Sequence, residues 1–154
     1  MIRVRPAAPS DAVSWLRMRD ALWPHHDTGS HADEVELYFA GKLRGLQEVL
    51  LAFDETGAAV GFAELSIRSY AEHCETDRVA YLEGWYVEPG VRRKGVGRAL
   101  VDAAEGWAIK QGCTEFGSDA VLENELSAAA NHALGFEETV RLRCFKKVLR
   151  VDTR

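Results

Sequence analysis

Hydrophobic and polar positions change their period several times along the chain, and each change marks an element. Residues Ile2 to Arg5 alternate and predict a short first strand. Ser10 is a candidate N-cap, and beyond it Val13, Leu16, Leu22 and Trp23 recur near helical spacing. The run Pro24-His25-His26-Asp27-Thr28-Gly29 breaks that helix. Ser30 with Asp33 resembles a capping arrangement for a second short helix carrying Val35, Leu37, Tyr38, Phe39 and Leu43, which ends near Gly45. Glu48 to Phe53 predicts a strand, Asp54-Glu55-Thr56-Gly57 a turn, and Ala58 to Ile67 the returning strand of a hairpin. Residues 69–78 are polar and irregular, the kind of loop that often carries function. Val79 to Val87 is the central strand. Val96 to Lys110 is the clearest helix, with Leu100, Ala103, Ala104, Trp107 and Ala108 on one face and a stop at Gly112. Glu115 to Asp119 predicts another strand, Asn124 to Leu134 a helix, and Phe136 to Val148 one or two closing strands.

This order predicts a single α/β (α+β) domain over residues 1–154, mostly antiparallel, with one parallel crossover through the long helix. A chain of 154 residues is long enough to bury a real core. No apolar run approaches a membrane span, and the N-terminus shows no apolar leader, so neither a membrane nor export is expected. Cys74, Cys113 and Cys144 sit at no metal-like spacing, and an odd number argues against a disulfide framework. A cytoplasmic protein without a bound metal is the expectation. The net charge of −5 argues against nucleic acid as a partner. Basic residues nevertheless concentrate near 92–98, which suggests one sub-site for phosphate and an acidic one for a cation. His25, His26, His31 and His73 show no ligand spacing and are expected at the surface or at a substrate rim.

The richest segment is Glu83 to Leu100. An apolar strand ends at Pro89-Gly90, a basic loop with Gly95 and Gly97 follows, and an amphipathic helix begins. The unpaired N–H groups of a first helical turn and the helix dipole attract an anion there. A P-loop is excluded because Gly-Lys-Ser/Thr is absent, and a dinucleotide fingerprint fails because Leu100 stands where the third glycine belongs. What remains is Arg-x-x-Gly-x-Gly at 92–97, following Tyr-Val-x-Pro. The plainer alternative is a solvated basic turn before a surface helix.

That loop closely resembles the pyrophosphate loop of the GCN5-related N-acetyltransferases (GNAT), which bind acetyl-CoA. Asn124 to Phe136, ending Ala133-Leu134-Gly135-Phe136, resembles the family's second motif. The resemblance implies a GNAT fold: a mixed, mostly antiparallel sheet splayed between its fourth and fifth strands and flanked by about four helices. It implies acetyl-CoA as co-substrate, lying in the splay against Tyr86, Val87, Arg92, Arg93, Lys94, Gly95, Val96, Gly97, Arg98 and Asn124, with a backbone N–H near Val87 facing the thioester oxygen. Further phrases, among them Leu82-Glu83-Gly84-Trp85-Tyr86-Val87, Leu22-Trp23-Pro24 and Cys113-Thr114-Glu115-Phe116-Gly117-Ser118-Asp119-Ala120, resemble the aminoglycoside 6'-N-acetyltransferases. That branch acetylates polycationic antibiotics and is usually homodimeric.

Acetyl transfer to an amine needs a group to take the ammonium proton and a group to stabilise the developing oxyanion. Asp119, expected at a strand end facing the crevice, is the candidate base; the alternative is that it caps the following turn. Glu83 stands inside an apolar strand. It either meets the acceptor's ammonium groups or pairs with Arg68 or Arg78 across the sheet. Glu72, Glu75 and Asp77 on the irregular loop, together with Glu137 or Glu138, form a candidate anionic wall, and Trp23 and Trp85 are candidates to line a sugar site. A departure sits at Asn131. The superfamily commonly carries a tyrosine there, and an amide cannot protonate the leaving thiolate. Neighbouring His132 is expected to face elsewhere, since one residue turns a helix by about 100°. Three functions therefore stand: an aminoglycoside 6'-N-acetyltransferase, an acetyltransferase for another small or protein amine, and a weakly catalytic acyl-CoA- or aminoglycoside-binding protein.

Overall fold

The computed structural model describes residues 1–24 and 28–151. Its sheet has five strands in sequential order: β1 (Arg3–Pro6), β2 (Glu48–Phe53), β3 (Ala59–Arg68), β4 (Val79–Val87) and β5 (Phe116–Ser118). The first four pair antiparallel, and β5 lies parallel to β4. Four α-helices flank the sheet: α1 (Ala12–Leu22), α2 (Thr28–Phe39), α3 (Val96–Lys110) and α4 (Glu125–Ala133). Strands next in sequence are next in space throughout, and the one parallel pair, β4 and β5, is joined by a crossover through α3.

Both sheet faces are covered, so β2, β3 and β4 are buried nearly throughout rather than at alternate positions. On one face α3 packs Val96, Leu100, Val101 and Ala104 against Leu50, Ala63, Leu65 and Leu82. On the other, Trp15 and Met18 of α1 and Val35 of α2 cover Val49, Leu51, Phe62 and Tyr86. Gly61 lets α3 approach closely: a Cβ there would lie 2.8 Å from the Tyr86 carbonyl oxygen and 3.2 Å from Leu100 and Val96.

The predicted elements are present, with three corrections. Helix α2 begins at Thr28, so Ser30 lies inside the helix rather than capping it, and the helix ends at Phe39, short of Gly45. Helix α1 is entered through a 3₁₀ turn over Pro9–Asp11, with the Asp11 carboxylate, not Ser10, accepting the Ala8 N–H at 2.7 Å. The closing strands predicted over 136–148 do not form: residues 136–151 carry no helix or strand. Their alternating pattern fits a strand, but a strand also needs a neighbouring edge, and the segment leaves the sheet after Phe136.

The α1/α2 face buries a charge cluster that the pattern did not reveal. Glu64 on β3 is 2% exposed. Its carboxylate accepts the Trp15 Nε1–H at 3.0 Å and lies 2.9 Å from the Arg19 guanidinium, which also meets Glu34 at 2.6 Å. Arg19 sits over the rings of Trp15 and Trp23. His31 is buried at 1% and stacks on Trp23, against the surface position expected for it. His25 and His26 lie outside the described residues.

Burial pushes the Glu64 carboxyl up to about 7, with Arg19 and Trp15 opposing the rise. Between its unfolded value and that one, the folded protein holds a proton the unfolded chain has released. Stability from this group is therefore complete below the unfolded value and is lost as pH rises through the folded one. The urea midpoint is expected to fall between pH 5 and pH 8, corresponding to a loss of unfolding free energy on the order of 1–3 kcal/mol, and Glu64→Gln is expected to flatten that slope. A midpoint that climbs over this window in the unaltered protein contradicts the assignment.

Candidate active site

Two features of β4 make the cleft. Its pairing with β5 covers only Ala80, Tyr81 and Leu82, so the strands part beyond Leu82 while β4 continues to Val87. The N–H of Glu88 bonds the Val60 carbonyl at 2.9 Å on the β3 side. Backbone polar groups alternate along a strand, so the Val87 N–H points the other way, into the splay. An extended amide chain fits such an open edge.

Helix α3 begins at the end of this cleft. Its N-cap, Gly95, has φ +86° and no side-chain cap, so the first-turn N–H groups are left open toward the cleft. Arg93, Lys94 and Gly95 are exposed, and Arg93 also takes a left-handed φ of 63°. A helix dipole, open N–H groups and surface cations fit a diphosphate. The two glycines serve different ends. Gly95 supplies the left-handed turn with open space around it. At Gly97 a Cβ would lie 2.7 Å from the Trp85 ring, so close packing of α3 on β4 requires that glycine. Two basic side chains are turned to backbone: Arg92 Nε donates to the Val87 carbonyl at 2.9 Å, and Arg98 donates to the Ala133 carbonyl at 3.0 Å. Val96 is buried against the sheet, and the Tyr86 ring packs on the α1/α2 face with its hydroxyl donating to Glu88 at 3.2 Å.

An acidic cluster lies around β4 and the end of β5. Glu83 accepts from Arg68 Nε at 2.8 Å and Nη2 at 2.7 Å, and from the Ser66 hydroxyl at 2.9 Å. Of the partners weighed for Glu83 across the sheet, Arg68 is therefore the one it meets; Arg78 instead donates to the Gln111 carbonyl. The Arg68 guanidinium lies 3.6 Å from the Tyr81 ring centroid. The Tyr81 hydroxyl donates to Asp119 at 2.9 Å. Gly117 makes this possible, since a Cβ there would lie 2.7 Å from the Tyr81 ring. Burial first, then Asp119, pushes the Tyr81 phenol up, so it remains a donor. Asp119 is exposed just beyond β5. Trp23 packs on β4 at Gly84, where a Cβ would lie 2.7 Å from the indole.

The irregular loop is tied down by one residue. Glu115 accepts the N–H groups of Glu75 and Thr76 and the Thr76 hydroxyl, at 2.7–3.0 Å. Glu72 is exposed and accepts from the Tyr70 hydroxyl at 3.0 Å. Among the described residues no group of His, Cys, Asp and Glu is placed to hold a metal ion, and no helix is long and apolar enough to cross a membrane.

Residues 12–136 match the acetyltransferase (GNAT) family. The chain belongs to that family. Among similar proteins is the aminoglycoside N(6')-acetyltransferase type 1 of Klebsiella aerogenes, 51% identical over 95% of this chain and 96% of that protein. The enzyme of the same name from Acinetobacter genomosp. 13 is 42% identical over 95% of this chain and 98% of its own. Among solved structures, AAC(6')-Ih from Acinetobacter baumannii superposes with a TM-score of 0.88 at 39% identity, covering 97% of this chain and 99% of that one. AAC(6')-Iy in complex with the bisubstrate analog CoA-S-monomethyl-acetylneamine gives 0.88 at 33% identity with the same coverage.

As a GNAT domain, the chain uses two of its motif residues for its own structure. The Asn124 side chain caps α4 by accepting the Ser127 N–H at 3.0 Å. Asn131 is half-buried, and its Nδ2 donates to the Ser127 carbonyl at 2.8 Å, one turn back in the helix. His132 is exposed. Glu138 lies on the extended C-terminal segment and pairs with Arg141 at 2.6 Å, while Glu137 is exposed beside it. Tyr81 escaped the sequence reading. The available signal was a hydroxyl within an apolar strand, which needs a partner when buried.

Proposed function

We propose that this protein transfers the acetyl group of acetyl-CoA to the 6'-amine of aminoglycosides by direct attack of the amine on the thioester. The observation that carries this reading is one cleft with two chemistries. The uncapped N-terminus of α3 and the open edge of β4 suit a diphosphate and an amide chain, and the Glu83–Asp119 carboxylates suit a polycation. The names of the relatives supply the acceptor class.

Bound acetyl-CoA supplies the activated acyl group. Gly95, Val96, Gly97 and the neighbouring cations hold its phosphates, with Tyr86 and Val87 offering backbone to its amide arm. The Val87 N–H supplies a donor where negative charge develops on the thioester oxygen. Asp119 takes a proton from the acceptor ammonium, directly or through a water, freeing the neutral amine to attack, and Tyr81 orients Asp119. Glu83, Glu72 and Glu138 attract the remaining ammonium groups, and Trp23 lines the sugar side. Because the Asn131 amide has no acidic proton to give, water protonates the departing thiolate. Expression in a susceptible bacterium should raise resistance to kanamycin or tobramycin, and purified protein should release CoA thiol with either drug. Turnover of a polyamine or protein amine with no turnover of any aminoglycoside would place the chain in another acceptor class.

The reading extends to a homodimer in the cytoplasm. Residues 137–151 are exposed throughout and carry Val140, Leu142, Phe145, Val148, Leu149 and Val151, with Phe145 at 91%. An apolar arm of this length in water calls for a covering surface, and a second copy of the chain is its partner. The free thiols of Cys74, Cys113 and Cys144 suit a reducing compartment. Sedimentation should give twice the 17.1 kDa chain mass, and Phe145→Asp should shift it toward one. A monomer for the unaltered protein contradicts this.

A further inference from the structure

The acidic cluster beside β4 already contains a cation. The Arg68 guanidinium makes two bonds to Glu83, at 2.8 and 2.7 Å, and covers the Tyr81 ring at 3.6 Å, while the hydroxyl of that same tyrosine holds Asp119. These carboxylates and this aromatic face are the groups an acceptor ammonium would use. Arg68 therefore satisfies Glu83 and covers the aromatic face, and Tyr81 in turn holds Asp119. Its side chain is 40% exposed and that of Glu83 is 25% exposed, so solvent and an incoming ligand reach the pair. The pair is half-buried and two-pronged, so it holds until a ligand brings its own ammonium to Glu83 in exchange. The hydrogen bonds to Glu83 raise the guanidinium pKa, against the opposing cost of its partial burial.

We propose that Arg68 is a specificity-determining residue that occupies an acceptor ammonium position and is displaced from Glu83 when the substrate binds. Counting Glu83, Asp119 and Arg68, the cluster carries a net single negative charge. An acceptor that brings one ammonium gains little by replacing a guanidinium with two good hydrogen bonds. An acceptor that brings several engages Asp119 and the loop carboxylates while Arg68 moves aside into solvent. The arginine thus sets a threshold on acceptor charge, screening out monoamines while admitting polycations. The inference rests on the acceptor-site reading above.

The test is a pair of substitutions read by affinity as well as turnover. Arg68→Met keeps an apolar stem for the Tyr81 ring and removes the competing charge. It should lower the tobramycin KM by about three- to tenfold at low salt, steepen the salt dependence of that KM, leave kcat little changed, and open turnover of a monoamine such as glucosamine. Arg68→Lys keeps the competing charge without the two-pronged bond and the ring stacking, and should fall between the unaltered protein and Arg68→Met. Calorimetric titration of tobramycin into each CoA-loaded protein should show the same ranking, and it reads the proposal even if no acceptor is turned over, in which case the functional reading fails separately. A raised or unchanged tobramycin KM or Kd in Arg68→Met overturns the proposal, the former by making Arg68 a clamp that orients Glu83. Glu83→Gln should weaken tobramycin binding; unchanged affinity there also overturns it, because Glu83 would then not be the group the acceptor claims.

Discussion

Asp119→Asn is expected to lower kcat by about 10²–10⁴-fold, the range over which a positioned general base contributes. The substitution keeps the shape of the side chain and an oxygen that can accept from the Tyr81 hydroxyl, so the local bond at 2.9 Å can survive. What it removes is the ability to take a proton from an alkyl ammonium. The acidic limb of the pH–rate profile should change with it. Glu83→Gln provides the contrast, since a carboxylate that only attracts the acceptor should act mainly through KM. An Asp119→Asn protein with ordinary kcat and an ordinary pH profile would remove Asp119 from the chemistry and leave it a binding group. Initial rates at saturating acetyl-CoA across pH 6 to 9 decide between them.

The second large effect belongs to the loop, where the two glycines should fail in different ways. Gly97→Val forces a branched side chain into the 2.7 Å approach of Trp85, so α3 must move off β4. Overpacking of this kind costs about 1–3 kcal/mol of stability, and because the proposed phosphate site lies at the start of α3, acetyl-CoA affinity should fall with it. Gly95 has open space beside it but a φ of +86°. Gly95→Asn, a residue that tolerates the left-handed region, should fold almost normally while losing acetyl-CoA affinity, because its side chain stands where phosphate must meet backbone. Gly95→Val should lose both. Thermal melts alongside calorimetric titration with acetyl-CoA separate folding from binding. Full cofactor affinity in all three variants would mean that the phosphates bind elsewhere.

These contrasts show what a one-dimensional reading reaches. The bounds of β2, β4 and α3 were legible because burial on both faces or along one helical stripe leaves a strong local pattern. The turn into α3 was legible because its glycines and cations are close in sequence. The splay followed from the family resemblance, and the structure shows it in the short β4–β5 pairing. What escaped depends on partners far apart along the chain. Tyr81 meets Asp119 across 38 residues, and Trp15 meets Glu64 across 49, so neither local pattern announces the bond. For Glu83 the sequence offered a cross-sheet pair or a cleft position; a bulge leaves Glu83 itself without a partner in the β3–β4 register, between Gly84 opposite Glu64 and Leu82 opposite Leu65, and its carboxylate meets Arg68. The C-terminal arm failed for the same reason in reverse. Its alternating residues specify a strand, but the edge that would complete it is not within the pattern. Asn131 was visible as a departure, and only the fold shows its amide spent on Ser127.

The most direct test of the proposed reaction compares two acceptors that differ at one atom of the 6' position: neomycin, with an amine there, and paromomycin, with a hydroxyl. CoA release and product mass should show one acetyl group added to neomycin and none to paromomycin at equal concentration, because the cleft supplies a base for an ammonium proton at that position. Equal acetylation of both would contradict transfer to the 6'-amine, and acetylation of neither would remove aminoglycosides of this kind from the acceptors.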